Sequence, residues 1–220
     1  MGQTALLFID LQKEEGTSDI AGMDQILRRS ARLLEACRKK GISVIYTRHI
    51  NRGDGVALAD GEPVNEAGEP VYYHSDTSKI EIADEIKPLK GDIVVDKLRY
   101  SGFFESNLDL VLRSLDIQHI IMGGVLTDCC VLSTAFDAFY RDYQVSLVKD
   151  ICGTTSEGAH MAAILMMANW IYNLEVYDTD DMIKKVNGGS HQGWTFQKPD
   201  AMQFTPDQVR DIFQRFDMNK

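Results

Sequence analysis

The stretch His119-Ile120-Ile121-Met122-Gly123-Gly124-Val125-Leu126-Thr127-Asp128-Cys129-Cys130-Val131 decides the fold. Its first four residues are too few for a helix and show no apolar–polar alternation, as a strand covered on both faces requires. Two glycines then break the run, and a helical pattern follows from about Cys130 to Arg141. This is a strand, a tight turn and a helix in immediate succession.

The same unit recurs on either side. Residues 4–9 form an apolar run that ends at Asp10. Residues 24–40 follow as a helix with Ile26, Ser30, Leu33, Leu34 and Cys37 on one face. Arg38, Lys39 and Lys40 before Gly41 suit the negative end of the helix dipole and a left-handed stop. Further strands are expected at Ile42–Thr47, Asp92–Asp96, Val145–Val148 and Leu174–Tyr177. Ser106-Asn107-Leu108-Asp109 reads as a capping box, and Thr154-Thr155-Ser156-Glu157 caps a helix running to about Trp170. Strands joined through helices run parallel with right-handed crossovers. The expected fold is α/β, a three-layer αβα domain around a six-stranded parallel sheet, over residues 1–186. Residues 187–220 read as a C-terminal extension with one helix from Thr205, its stripe Val209, Ile212, Phe213 and Phe216. The polar segment 48–78 is long for a loop inside a compact domain, as a lid or binding loop would be.

Composition narrows the function. Lys plus Arg number 23 against 33 Asp plus Glu, a net charge of −10, which repels phosphate backbones and anionic lipid. Hydrophobic residues at 44% are enough for a full core. The run Ala5–Ile9 lacks a basic flank and is too short for a signal peptide or a membrane span, so a cytoplasmic location is expected. The four cysteines show no zinc spacing, and no two of the five histidines stand at i, i+4, so neither a metal nor a cofactor is expected.

Sites in open parallel sheets gather at the carboxyl ends of strands. Asp10, Lys97 and Cys130 all fall at that edge. A thiol at a helix start has its thiolate favoured by the dipole, a neighbouring ammonium adds to this, and a carboxylate can accept the proton. A depressed thiol pKa is therefore expected at Cys130. Each residue alone has an ordinary structural explanation; their convergence on one edge makes an activated nucleophile.

Three blocks resemble the isochorismatase-like cysteine hydrolases, a family that includes nicotinamidases and carbamoylsarcosine, biuret and ureidoacrylate amidohydrolases. They are Ala5-Leu6-Leu7-Phe8-Ile9-Asp10-Leu11-Gln12, Asp96-Lys97-Leu98-Arg99-Tyr100-Ser101-Gly102-Phe103, and Gly123 through Val131. The third is the most specific and selects Cys130 over Cys129. The resemblance implies a catalytic triad of Asp10, Lys97 and Cys130, and a cis peptide between Val125 and Leu126. It also implies an oxyanion hole from the N–H groups of Leu126 and Cys130. Acyl transfer through a thioester, with release of ammonia from a small amide or ureido substrate, follows from it, as does assembly into a homodimer or homotetramer. Gln12, Glu15, Tyr100 and Phe103 are the candidate substrate-binding residues.

The departures carry information too. Ring-binding members place an aromatic where Glu15 stands, and nicotinamidases carry Asp-x-His where this chain has Thr47-Arg48-His49. Both favour a ureido or carbamoyl substrate over nicotinamide, with a nicotinamidase-like hydrolase as an alternative. The alternative from another class is a catalytically silent member acting as a binding module, which the complete Asp, Lys and Cys set disfavours. Arg52-Gly53-Asp54 reads as a chance tripeptide. Gly188-Gly189-Ser190-His191-Gln192-Gly193 lacks what a phosphate loop or serine elbow needs.

Overall fold

The computed structural model describes residues 3–14, 19–205 and 207. The first strand, β1 (Gln3–Ile9), is followed by α1 (Met23–Lys39) and β2 (Ser43–His49). After the long loop come β3 (Ile93–Lys97), α2 (Leu108–Ser114) and β4 (Ile117–Val125). Then α3 (Leu132–Tyr140), β5 (Gln144–Gly153), α4 (Glu157–Trp170), β6 (Leu174–Tyr177), α5 (Thr179–Asn187) and β7 (Trp194–Thr195) complete the order.

The sheet runs β3-β2-β1-β4-β5-β6-β7. Six strands are parallel, as the apolar runs predict, but the sheet has a seventh strand, β7, which pairs antiparallel with β6 through Val176 and Trp194. Two residues cannot show a periodicity, so this addition is invisible to pattern reading. β1 lies inside the sheet between β2 and β4, and its side chains alternate between two cores as strand geometry dictates. Ala5, Leu7 and Ile9 join one core with Leu112, Met122, Ala135 and Leu147. Leu6 and Phe8 join the other with Leu33, Leu34, Tyr46 and Met182. Both sheet faces are thus covered, which explains the unbroken apolar run.

Local signals hold with two corrections. Ser156 caps α4 by accepting from Ala159 N–H, and Gly41 follows α1 with a φ of 68°. The capping box at 106–109 does not form. Instead Asn107 precedes α2 without a side-chain cap, and Ser106 Oγ accepts from Leu108 N–H at 3.1 Å. The helix expected from Cys130 starts with a π-helical turn, Thr127–Val131, in which Leu126 carbonyl accepts from Val131 N–H at 3.1 Å. The C-terminal helix predicted from Thr205 lies outside the described residues. Among those described, no helix is long and apolar enough to cross a membrane.

The 48–78 loop is internally bonded. Asn51 bridges to His74, and its side-chain amide donates to Glu62 Oε1 at 2.8 Å and to Tyr72 carbonyl at 3.1 Å. Tyr73 N–H donates to Glu14 Oε2 at 2.6 Å, which ties the loop to the segment after β1.

Candidate active site

Four adjacent strands deliver four polar side chains to one edge. Lys97 ends β3, His49 ends β2, Asp10 follows β1, and Cys130 sits in the π turn after β4. His49 and Lys97 are register partners across the β2–β3 pairing. All four are buried, with Lys97 2% and Cys130 6% exposed.

Asp10 leaves β1 at a φ of 50°, a left-handed conformation that costs an L-residue roughly 1–2 kcal/mol. Thr47 offsets that cost. Its hydroxyl donates to Asp10 Oδ1 at 2.6 Å and accepts Asp10 N–H at 3.2 Å. Lys97 Nζ forms an ion pair with Asp10 Oδ2 at 2.6 Å, and that oxygen has no aligned hydrogen bond. The same ammonium lies 3.4 Å from Cys130 Sγ, 3.0 Å from Arg99 carbonyl and 3.2 Å from His49 Nδ1. Burial works against the lysine's charge, but Asp10 and Cys130 outweigh it and hold its pKa above the ordinary value.

The thiol departs from expectation. A side-chain hydrogen bond with Cys129, burial and the Asp10 carboxylate push Cys130 well above the usual thiol range, and Lys97 only partly opposes them. A helix start and a lysine predict a depressed value. Neither accounts for the desolvation that packing imposes, and burial of a thiolate is disfavoured. Cys130 is therefore held as a thiol.

The Val125–Leu126 peptide is cis. Leu126 carbonyl accepts from Cys129 N–H at 3.1 Å as well as from Val131 N–H, fixing the turn that carries Cys130.

The other sequence candidates separate. Tyr100 is exposed, its ring centroid 6.4 Å from that of His49. Phe103 is buried in the core, stacked on Tyr143 and covered by the Arg141 guanidinium at 4.9 Å. The Gln12 amide is taken up by backbone, donating to His49 and Ile80 carbonyls at 3.0 and 3.2 Å and accepting His49 N–H at 2.8 Å. Glu15 lies outside the described residues. Arg48, Arg52 and Arg99 are engaged with Asp96, Asp54 and the Ala57 carbonyl respectively.

Sequence reasoning missed His49. It ends the second strand at Thr47, whereas β2 continues to His49 and so brings that residue to the same edge as Asp10 and Lys97. Asp10, His49 and Cys130 place three donor atoms within 4.8 Å of one another. Carboxylate, imidazole and thiolate suit zinc, but the Lys97 ammonium lies against all three.

The model of the isochorismatase domain matches residues 4–181. The chain belongs to the isochorismatase family. Within that family it is 33% identical over 175 residues to a ureidoacrylate amidohydrolase of Caulobacter segnis, covering 67% of this chain and 71% of that one. A ureidoacrylate amidohydrolase of Pseudomonas syringae pv. syringae is 33% identical over 210 residues, 81% of this chain and 83% of the relative. Among solved structures, a cysteine hydrolase from Pseudomonas syringae pv. phaseolicola superposes with a TM-score of 0.75 at 28% identity, covering 84% of this chain and 93% of that one.

Proposed function

We propose that this isochorismatase-family protein is a cysteine amidohydrolase that cleaves the C–N bond of a small linear amide, ureido or carbamoyl compound and releases ammonia. One observation carries the reading: a buried ammonium spans a carboxylate at 2.6 Å and a thiol at 3.4 Å. In it, Asp10 is the base, Lys97 the fixed charge and Cys130 the nucleophile.

Asp10 Oδ2 takes the thiol proton as sulfur attacks the carbonyl carbon. The S–C bond forms, and the carbonyl electron pair moves to oxygen, which rests on the N–H groups of Leu126 and Cys130. Each such donor contributes about 10²–10³ in rate. Collapse breaks the C–N bond, Asp10 returns its proton to the departing nitrogen, and ammonia leaves a thioester. Water, deprotonated by Asp10, then attacks that carbon, the C–S bond breaks, and sulfur recovers its proton. Lys97 keeps a positive charge beside Asp10 and sulfur throughout. Ureidoacrylate, named for the relatives, is the first substrate to try. The finer parts of the reading are a cytoplasmic location, no nucleic-acid partner, and a homodimer or homotetramer.

The test is ammonia release from ureidoacrylate and from a panel of linear amides and carbamoyl amino acids. Turnover of at least one compound by the wild type, and none by Cys130→Ala, is the expected result. No release from any compound would sink the proposal.

A further inference from the structure

The contacts of Lys97 do not balance. Its ammonium has three hydrogens, and four acceptors surround it. They are Asp10 Oδ2 at 2.6 Å, Arg99 carbonyl at 3.0 Å, His49 Nδ1 at 3.2 Å and Cys130 Sγ at 3.4 Å. An ammonium can only donate, so His49 Nδ1 faces it with a lone pair, and the ring hydrogen is on Nε2. The imidazole is neutral. Burial first, then Lys97, pull its pKa down to about 4, with Arg99 adding to them, while Asp10 and a hydrogen bond with Asn51 oppose. Tyr73 packs on the ring at a centroid distance of 4.8 Å and Tyr100 at 6.4 Å. With Cys130, these are the titratable and charged groups that face His49 from the neighbouring strands and loops among the described residues.

The aligned hydrogen bonds run to Arg99 carbonyl, His49 and Cys130. The charged carboxylate at 2.6 Å is nevertheless the strongest attractor and draws one hydrogen toward itself, and the carbonyl holds a second. The third is contested by two weak acceptors, the imidazole nitrogen and the thiol sulfur. If sulfur held that hydrogen at rest, the ammonium would favour the thiolate.

We infer that His49 is a positioning residue: as an acceptor-only imidazole it draws the third Lys97 hydrogen away from Cys130 and keeps the nucleophile a thiol at rest. This rests on the roles proposed above for Lys97 and Cys130. When Asp10 takes the thiol proton during attack, sulfur becomes the stronger acceptor and the hydrogen turns to it. The hydrogen bond to His49 is exchanged for one to sulfur, and the charge reaches sulfur when the substrate needs it. A nucleophile stored as a thiol also resists oxidation and alkylation between turnovers.

Asparagine and leucine separate this role from shape alone. Both match the first atoms of the histidine side chain, but only the asparagine of His49→Asn would place an oxygen where Nδ1 stands. The readout is the pH dependence of Cys130 carboxamidomethylation by iodoacetamide, followed by peptide mass on the full chain. In His49→Leu the midpoint should fall by about one pH unit, roughly tenfold in the acid constant. In His49→Asn it should stay within about a third of a unit of wild type. An unmoved or raised midpoint in His49→Leu, or equal shifts in both variants, overturns the inference. Should His49→Leu not fold, nitrogen-15 NMR of the wild type decides: protonated Nε2 and bare Nδ1 near neutral pH support it, and a protonated Nδ1 overturns it. Failure of the proposed function would appear elsewhere, as a wild type that releases no ammonia whatever the alkylation midpoints.

Discussion

Thr134 Oγ1 donates to the Cys130 carbonyl at 2.6 Å and accepts the Gly102 N–H at 2.9 Å. One hydroxyl on α3 thus joins the turn that carries Cys130 to the loop that follows Lys97. The same loop is held again by Ser101, which bonds to Asp137 further along α3. Relative placement of thiol and ammonium therefore depends on α3 as well as on the sheet.

Thr134→Val keeps the shape and removes both bonds. It leaves the Gly102 N–H buried without an acceptor, at a cost of about 1–3 kcal/mol. Urea unfolding should show a loss near 2 kcal/mol, with kcat falling further than KM rises. A variant as stable and as active as wild type would remove Thr134 from the account.

Gly124 predicts a sharper effect. It pairs with Ile9 across β1 and β4, has a φ of 140°, and a Cβ there would lie 2.1 Å from the Ile9 carbonyl oxygen. Backbone one residue from Asp10 cannot move aside cheaply. Gly124→Ala should lose more than about 4 kcal/mol or fail to fold. Gly41 also has positive φ, but nothing lies within 4 Å of its added Cβ, so Gly41→Ala should cost only about 1 kcal/mol. Equal losses in urea unfolding would refute the steric explanation.

These two residues mark what the sequence discloses and what it withholds. The parallel sheet is legible because the inner stretches of β1 and β4, Ala5–Ile9 and Ile120–Val125, are buried on both faces and carry no polar side chain. Asp10 and Lys97 are legible because strand-end residues at the carboxyl edge are where a doubly wound sheet gathers its chemistry. His49 stayed hidden because one misplaced strand end moved it from the edge into a loop. Phe103 beside Lys97 looked like a pocket wall, yet direction along a loop has no periodicity, and it turned into the core. The raised thiol was out of reach for another reason: it comes first from a hydrogen bond with Cys129, whose side-chain direction no spacing gives, and then from burial by residues distant in sequence.

Cys129 and Cys130 provide a direct test of register in the π turn. Cys130 faces Lys97 at 3.4 Å, whereas Cys129 is only half-buried and lies off that contact. Cys130→Ala should abolish ammonia release, at least about 10⁴-fold, and Cys129→Ala should retain most of it. Comparable losses in the two variants would contradict the assignment of the nucleophile.

Acid should weaken the fold through His49, and the sign follows from its burial. Its folded pKa of about 4 lies below the ordinary value of 6.5. Between those values the unfolded chain binds a proton that the folded protein refuses, so stability rises with pH across that window. The contribution is complete above about pH 6.5 and is lost as pH falls toward about 4. A difference of that size corresponds to about 3 kcal/mol at full extent. His119 and His160 are also lowered, chiefly by burial, and act in the same direction. The wild-type curve alone therefore does not isolate His49. His49→Asn, which does not titrate, supplies the difference. Urea unfolding of both proteins between about pH 7 and pH 4.5 should show the wild type losing roughly 2–3 kcal/mol more than the variant. Parallel curves would mean that His49 is protonated in the folded protein or suffers no burial penalty, and its place as a neutral acceptor beside Lys97 would fall with them.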